Sequence, residues 1–251
     1  MRKLYVLILI QIFIASLAHA HTDRMEPKQM KWPFNGAFGT IDREAAQRGY
    51  KVYKEVCSTC HSLNLVSYRN LTEIGFTEAE VKALAAEHQV RDGPNDEGEM
   101  FNRPGTPADH LPSPFANEKA ARAANNGAYP PDFSLIIKAR EDGANYVYSL
   151  LTGYQTAPKN VTVPDGMYYN PYFPNHNIAM PPPLSDGLVT FDDGSANNID
   201  ATARDIVTFL QWAAEPDMEK RKRMGIKTIL YLLAMTGLFY FAKKIVWKNI
   251  K

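Results

Sequence analysis

Five consecutive residues, Cys57-Ser58-Thr59-Cys60-His61, place the only two cysteines of this 251-residue chain beside a histidine. Two thiols at this spacing can form thioethers to the two vinyl groups of one porphyrin. The histidine that follows can then set its imidazole beneath the iron, so C-x-x-C-H reads as an attachment motif for c-type haem. Two other chemistries use paired cysteines. A redox-active dithiol belongs in a strand–helix–strand unit, and no such pattern surrounds this motif. A zinc site would need a further Cys or His cluster. The two cysteines are also too close in sequence to staple a fold.

An iron with one histidine below it needs a second ligand above or an open position. Beyond residue 20 the methionines are Met25, Met30, Met100, Met167, Met180, Met218, Met224 and Met235, and the last three lie at or beyond the membrane-proximal end of the domain. Met180 stands directly before Pro181-Pro182-Pro183. Three prolines stiffen the backbone, so a thioether there loses little entropy when held at the iron. Met100, Met167 and His176 are the rival ligands, and a methionine can equally fill a gap in a core. Two propionates would need cationic or hydrogen-bonding partners, for which Arg122 and Arg140 are the candidates.

Several helices must position these groups. Asp42 can cap a helix whose apolar residues Ala46, Tyr50, Tyr53 and Cys57 recur at helical spacing. Thr77-Glu78-Ala79-Glu80 forms a capping box ahead of Val81, Leu84 and Ala85. Residues 117–126 form a short alanine-rich helix closed by Gly127, and residues 142–152 form another that ends at Gly153. Asp200 opens the clearest helix, with Ala203, Ile206, Val207, Leu210 and Ala214 in one stripe and Pro216 as its stop. Between them lie two long segments rich in proline and glycine, at about 91–116 and 154–198. Loops of that length are uncommon without a job, and wrapping a large flat cofactor is one. No strand-and-turn series is evident, so the expected class is mostly α.

The two ends differ from the middle. Residues 1–20 read as an export signal, with Arg2 and Lys3, an apolar run from Leu4 to Leu17, and the cleavage pattern Ala18-His19-Ala20. Cleavage there would start the mature chain at His21. Thr228 to Ala242 carries no charge, and snorkelling Lys227, Lys243 and Lys244 with an interfacial Trp247 extend it towards the roughly 20 residues of a membrane span. Of 28 basic residues, two lie in the signal and nine in residues 220–251, which leaves 17 against all 27 acidic ones. Residues 21–219 therefore carry a formal charge of −10, hidden by the whole-chain value of +1. Such a domain is poorly suited to nucleic acid and would steer a basic partner.

Longer stretches resemble the cytochrome c1 family. They are Ala121-Arg122-Ala123-Ala124-Asn125-Asn126-Gly127-Ala128-Tyr129-Pro130-Pro131-Asp132-Phe133-Ser134, Tyr146 to Tyr154, Tyr169-Asn170-Pro171-Tyr172-Phe173-Pro174, Ile178-Ala179-Met180-Pro181-Pro182 and Phe209 to Pro216. They follow the family's order over nearly the whole mature chain. The resemblance implies a class I-like cytochrome c fold with long irregular loops, on one C-terminal transmembrane helix. It implies haem c bound through Cys57 and Cys60, His61 and Met180 as iron ligands, and Arg140 at a propionate. Asn125, Ala128, Pro131, Tyr146, Leu150 and Phe173 match residues that line the pocket. The implied partners are cytochrome b, a Rieske iron–sulfur subunit and cytochrome c, in a dimeric bc1 complex. The single short signal looks bacterial, which would put residues 21–219 in the periplasm and the tail in the cytoplasm. Some family members carry an extra cysteine pair; its absence here means that the loops are held by other contacts. A free-standing anchored cytochrome and a haem enzyme with an open iron are the alternatives.

Overall fold

A computed structural model of the chain describes residues 24–248. The expected signal over residues 1–20, the mature start at His21 and the end of the tail lie outside the described residues. Two helices frame the core, α1 (Arg43–Glu55) and α5 (Ile199–Ala214). Between them in sequence come α2 (Glu78–Ala86), α3 (Glu118–Ala124) and α4 (Gly143–Leu151), with short 3₁₀ turns at Cys57–Thr59 and Tyr68–Ile74. A helix α6 (Met218–Val246) follows α5.

α1 and α5 cross closely because Gly49 has no side chain. A Cβ there would lie 2.1 Å from the Asp205 carbonyl oxygen. Around this crossing Tyr50 and Tyr53 pack on Phe209, with ring centroids 5.7 and 5.8 Å apart. Burying a side chain of this size contributes roughly 1.5–3 kcal/mol. Arg48 donates from Nε to Asp205 at 2.7 Å, so the one buried carboxylate of the crossing is paired. The α5 stripe of Ala203, Ile206, Val207, Leu210 and Ala214 is buried as expected.

Local signals set most helix starts. The side chains of Asp42, Thr77 and Asn117 each accept a backbone N–H three residues on, and Thr77 with Glu80 completes the capping box. Two expectations need correction. α5 is capped by Asn198, which accepts from Ala201 N, and Asp200 lies inside the helix, bonded to Tyr148 and Arg204. α1 ends at Glu55, so Cys57 lies beyond it and opens a 3₁₀ turn.

Two short antiparallel ribbons lie within the long segments, where the sequence offered no strand series. β1 (Gln89–Asp92) pairs with β2 (Phe101–Pro104), and β3 (Tyr168–Tyr169) with β4 (Asn177–Ile178). The segment that follows the first ribbon docks on the residues after the cysteine motif through Tyr68 N to Asp109 O (3.0 Å) and Leu111 N to Val66 O (3.0 Å). The class remains mostly α.

α6 is, among the described residues, the helix long and apolar enough to cross a membrane, and none of its apolar stretch is buried. Its 29 residues extend about 43 Å at 1.5 Å each, against roughly 30 Å of bilayer hydrocarbon. Its first turns are part of the domain. Met218 is buried, Glu219 accepts from Ile41 N at 2.9 Å and pairs with Arg43, and Lys222 donates to the Phe34 and Gly39 carbonyls.

Candidate haem site

The chain leaves α1 and turns sharply over Cys57–Thr59. Cys60 N and His61 N both donate to the Cys57 carbonyl, at 3.1 and 2.9 Å, and Ser58 Oγ donates to the Lys54 carbonyl at 2.7 Å. This folds both cysteines and the histidine onto one short arc. The thiols are half-buried and unpaired. Burial pushes the Cys57 thiol up to about 12. A catalytic dithiol works through the opposite shift, a stabilised thiolate.

His61 is buried and fixed in orientation. Its Nδ1 lies 2.8 Å from the Pro131 carbonyl oxygen, and a carbonyl only accepts, so Nδ1 carries the proton and Nε2 keeps its lone pair. Its ring stacks on Phe133 with centroids 3.9 Å apart, and Tyr53 Oη donates to its carbonyl at 3.0 Å. Burial lowers the His61 pKa and favours the neutral imidazole that ligates metal.

The segment at 131–134 is clamped to the cysteine motif by Asp132. Its carboxylate accepts from Ser62 Oγ (2.7 Å), Asn64 N (2.9 Å) and Ser134 N (2.8 Å), and these bonds hold its pKa below the usual range despite burial. Phe133 N adds a bond to the Ser62 carbonyl at 2.8 Å. Pro131 is thereby delivered to His61.

Met180 is half-buried and lies two residues past the end of β4. Tyr154 Oη donates to its carbonyl at 3.0 Å. The buried Asn170 ties the same loop to the end of α4, donating from Nδ2 to the Leu150 carbonyl at 2.8 Å. Phe173 N bonds the Asn170 carbonyl at 3.1 Å, so Leu150, Phe173 and Met180 belong to one connected loop system. The rivals Met100 and Met167 are exposed, and His176 stacks on Tyr169.

The remaining candidates fall around these parts. Asn125 caps α3 and donates to the Ala121 carbonyl, and Ala128 N bonds the Asn125 carbonyl, both half-buried. Tyr146 is buried on α4. Desolvation raises its pKa, and the Arg140 and Arg24 charges oppose that rise; the Arg140 guanidinium itself is exposed. Arg122 is already engaged by Glu118, the Gly127 carbonyl and the Tyr129 ring. No described carboxylate pairs with Arg140.

The donor set fits haem c: two unpaired thiols on one arc, and an imidazole whose proton is tied away so that Nε2 can meet iron. No cluster of three or more His, Cys, Asp or Glu residues gathers elsewhere among the described residues. A mostly helical shell around such a histidine, carried on a helix of spanning length, defines a membrane-tethered c-type cytochrome. The model of the Cytochrome C1 family matches residues 32–250. Cytochrome c1 of Rhodospirillum rubrum is 46% identical over 95% of the chain and 93% of its own length. The cytochrome b/c1 protein of Bradyrhizobium diazoefficiens is 50% identical over 95% of the chain, which spans 38% of that longer relative. A third relative, the cytochrome b-c1 complex catalytic subunit of Candida albicans mitochondria, is 46% identical over 90% of the chain and 79% of its length. The chain belongs to the cytochrome c1 family. It is a haem c-binding, electron-transfer subunit of the bc1 complex, the ubiquinol–cytochrome c reductase.

Asp132, Phe133, Asn170 and Tyr154 lie within the family-like stretches, but the sequence assigns them no role. Their partners lie far away in sequence, so the motif alone held no signal of what they bind.

Proposed function

We propose that the chain takes single electrons from the Rieske iron–sulfur subunit and passes them to cytochrome c, beside cytochrome b in a dimeric complex. The observation that carries this reading is His61, locked by Pro131 with Nε2 available, on the same arc as Cys57 and Cys60. Cys57 and Cys60, on the turn after α1, would hold the haem covalently as thioethers. His61 through Nε2 and Met180 through its thioether would hold the iron. Bound haem c supplies a ferric/ferrous couple, whose potential a methionine ligand raises. Arg140 meets a propionate, and Asn125, Ala128, Pro131, Tyr146, Leu150 and Phe173 line the pocket. With His61 and Met180 both committed to the iron, the chain would carry electrons without a catalytic site of its own, and quinol chemistry would fall to its partners.

In this reading residues 1–20 are cleaved, residues 21–219 form the periplasmic haem domain, and residues 220–251 supply the anchor and a cytoplasmic tail in a bacterial inner membrane. The test is a purified membrane complex from cells carrying Cys57→Ala/Cys60→Ala, run on a denaturing gel and stained for haem. The double variant should give no haem-positive band at this chain's mass, and quinol-driven reduction of cytochrome c should vanish. A stained band from the double variant would end the covalent-haem assignment. Normal turnover without this chain's haem would end its place between the Rieske subunit and cytochrome c.

A further inference from the structure

We propose that Tyr154 is a positioning residue for the axial methionine, its hydroxyl holding the Met180 carbonyl so that the end of α4 fixes the loop presenting the thioether. This rests on the reading of Met180 as an iron ligand. Tyr154 Oη to Met180 O is 3.0 Å, from a half-buried tyrosine three residues past the last residue of α4.

The chemistry of the loop explains why a side chain must do this. Met180 runs into Pro181, Pro182 and Pro183, none of which has a backbone N–H. The polypeptide beyond the ligand therefore has no main-chain donors for three residues, and its carbonyl side must be held from elsewhere. On the near side, β3 and β4 secure the chain as far as Ile178. Asn170 joins that ribbon to α4 through its bond to the Leu150 carbonyl, while its own carbonyl side chain accepts from Tyr172 N at 3.1 Å. Tyr154 adds the second point of attachment, two residues beyond the ribbon and at the ligand itself.

The frame to which it is attached is firm. An N-terminal arm lies against α4, with Lys28 N donating to Ser149 Oγ (2.8 Å), Lys28 Nζ to Thr152 Oγ1 (2.8 Å) and Trp32 Nε1 to Asn145 Oδ1 (2.8 Å). Gly153 lets Tyr154 follow closely: a Cβ at Gly153 would stand 2.4 Å from Cδ2 of the Tyr172 ring. The thioether is thus held from a helix end already bound on its other side. A methionine–iron bond profits from such preorganisation, because the ordering entropy is met before the ligand binds.

Tyr154→Phe keeps the ring and deletes the bond. The experiment uses the detergent-solubilised complex, parent and variant, with haem attached. Losing one hydrogen bond of ordinary net strength should shift the balance between bound and displaced methionine about five- to tenfold. Imidazole, titrated against the ferric form, should therefore displace Met180 at about five- to tenfold lower concentration. The methionine–iron charge-transfer band should weaken, and the midpoint potential should fall. Tyr168→Phe, which removes an exposed hydroxyl on β3, should leave all three readouts at the parent values. Unchanged imidazole affinity, band and potential in Tyr154→Phe, even with a lower melting temperature, would reduce Tyr154 to packing and overturn the proposal. Failure of haem attachment in that variant would make Tyr154 a folding residue and also overturn it. A parent lacking the charge-transfer band would instead remove the Met180 ligation itself.

Discussion

Arg103 grips Asp109 with both guanidinium nitrogens, Nη1 to Oδ2 at 2.7 Å and Nη2 to Oδ1 at 2.9 Å. Its Nε reaches back to Asp92, so one side chain joins both strands of the β1–β2 ribbon to the turn at residues 106–109. Asp109 also accepts from the amide and hydroxyl of Thr106. A long loop is thereby closed by bidentate ion pairing and needs no disulfide, and it docks beside Val66 and Tyr68, just after the haem motif.

That pair gives the loop a pH-dependent stability. The Arg103 guanidinium and the Thr106 donors hold the Asp109 carboxyl well below the usual range. A depressed folded pKa means that the contribution is fully present above the unfolded value of about 3.9 and is lost as pH falls towards the folded one. Asp109→Asn should cost about 1–2 kcal/mol at neutral pH, with the gap to the parent narrowing below about pH 4. Urea unfolding at neutral pH and near pH 3 measures this. A gap of equal size at both would show that the carboxylate's charge does not matter.

Met180→Leu should leave haem covalently attached, since Cys57 and Cys60 are untouched, while lowering the midpoint potential and slowing cytochrome c reduction. Leucine keeps the volume and removes the sulfur. The methionine–iron charge-transfer band is the readout. Its survival in the variant would pass the ligand role to Met100 or Met167, both exposed in this fold.

The parts legible in the sequence were those written in local chemistry. Asp42, Thr77 and Asn117 cap their helices because each needs only a backbone N–H three residues away. Asp200 misled because Asp and Asn cap equally well, and a tyrosine 52 positions distant claims its carboxylate. Helical spacing ran on through Cys57, but the chain tightens into a 3₁₀ turn there, and periodicity of a few residues cannot tell the two apart. The ribbons have strands of two to four residues, too short for any alternation to register. The haem motif was plain, whereas Met180 stood beside Met100, Met167 and His176 as a candidate ligand, and only the family resemblance singles it out. The clamps made by Asp132, Asn170 and Tyr154 span 70, 20 and 26 positions, so only the folded chain displays them.

Removing the anchor should release a soluble haem domain, provided that the cut respects the first turns of α6. Lys222 Nζ donates to the Phe34 carbonyl at 2.6 Å and to the Gly39 carbonyl at 3.2 Å. A chain ended after Met224 keeps these bonds; one ended after Glu219 loses them and should be less stable by about 1–2 kcal/mol. Both lack the exposed apolar stretch, and neither loses a candidate haem residue. Extraction in high salt and thermal melts separate the cases. A Met224-terminated domain that still pellets with membranes would reveal a second attachment.

Reduction of cytochrome c should be fast at low ionic strength and slow as salt rises. The reason is the −10 formal charge of residues 21–219, to which two propionates would add. Opposite charges beyond roughly 10 Å are screened at about 0.1 M salt, so a steered encounter must show this dependence. Four acids in the first long loop, Asp92, Asp96, Glu97 and Glu99, form the natural cluster in the sequence, but the structure divides them. Asp92 is neutralised by Arg103 and supports the ribbon, while Asp96, Glu97 and Glu99 are exposed at its tip. Replacing only those three with Asn and Gln should lower the second-order rate at low salt and flatten its salt slope, with the haem spectrum and melting temperature held. The same triple change with Asp92→Asn added should cost stability as well, because Arg103 then loses one of its two carboxylate partners. An unaltered salt slope in the triple variant would move the docking face to another acidic surface, and a salt-independent rate in the parent would end electrostatic steering altogether.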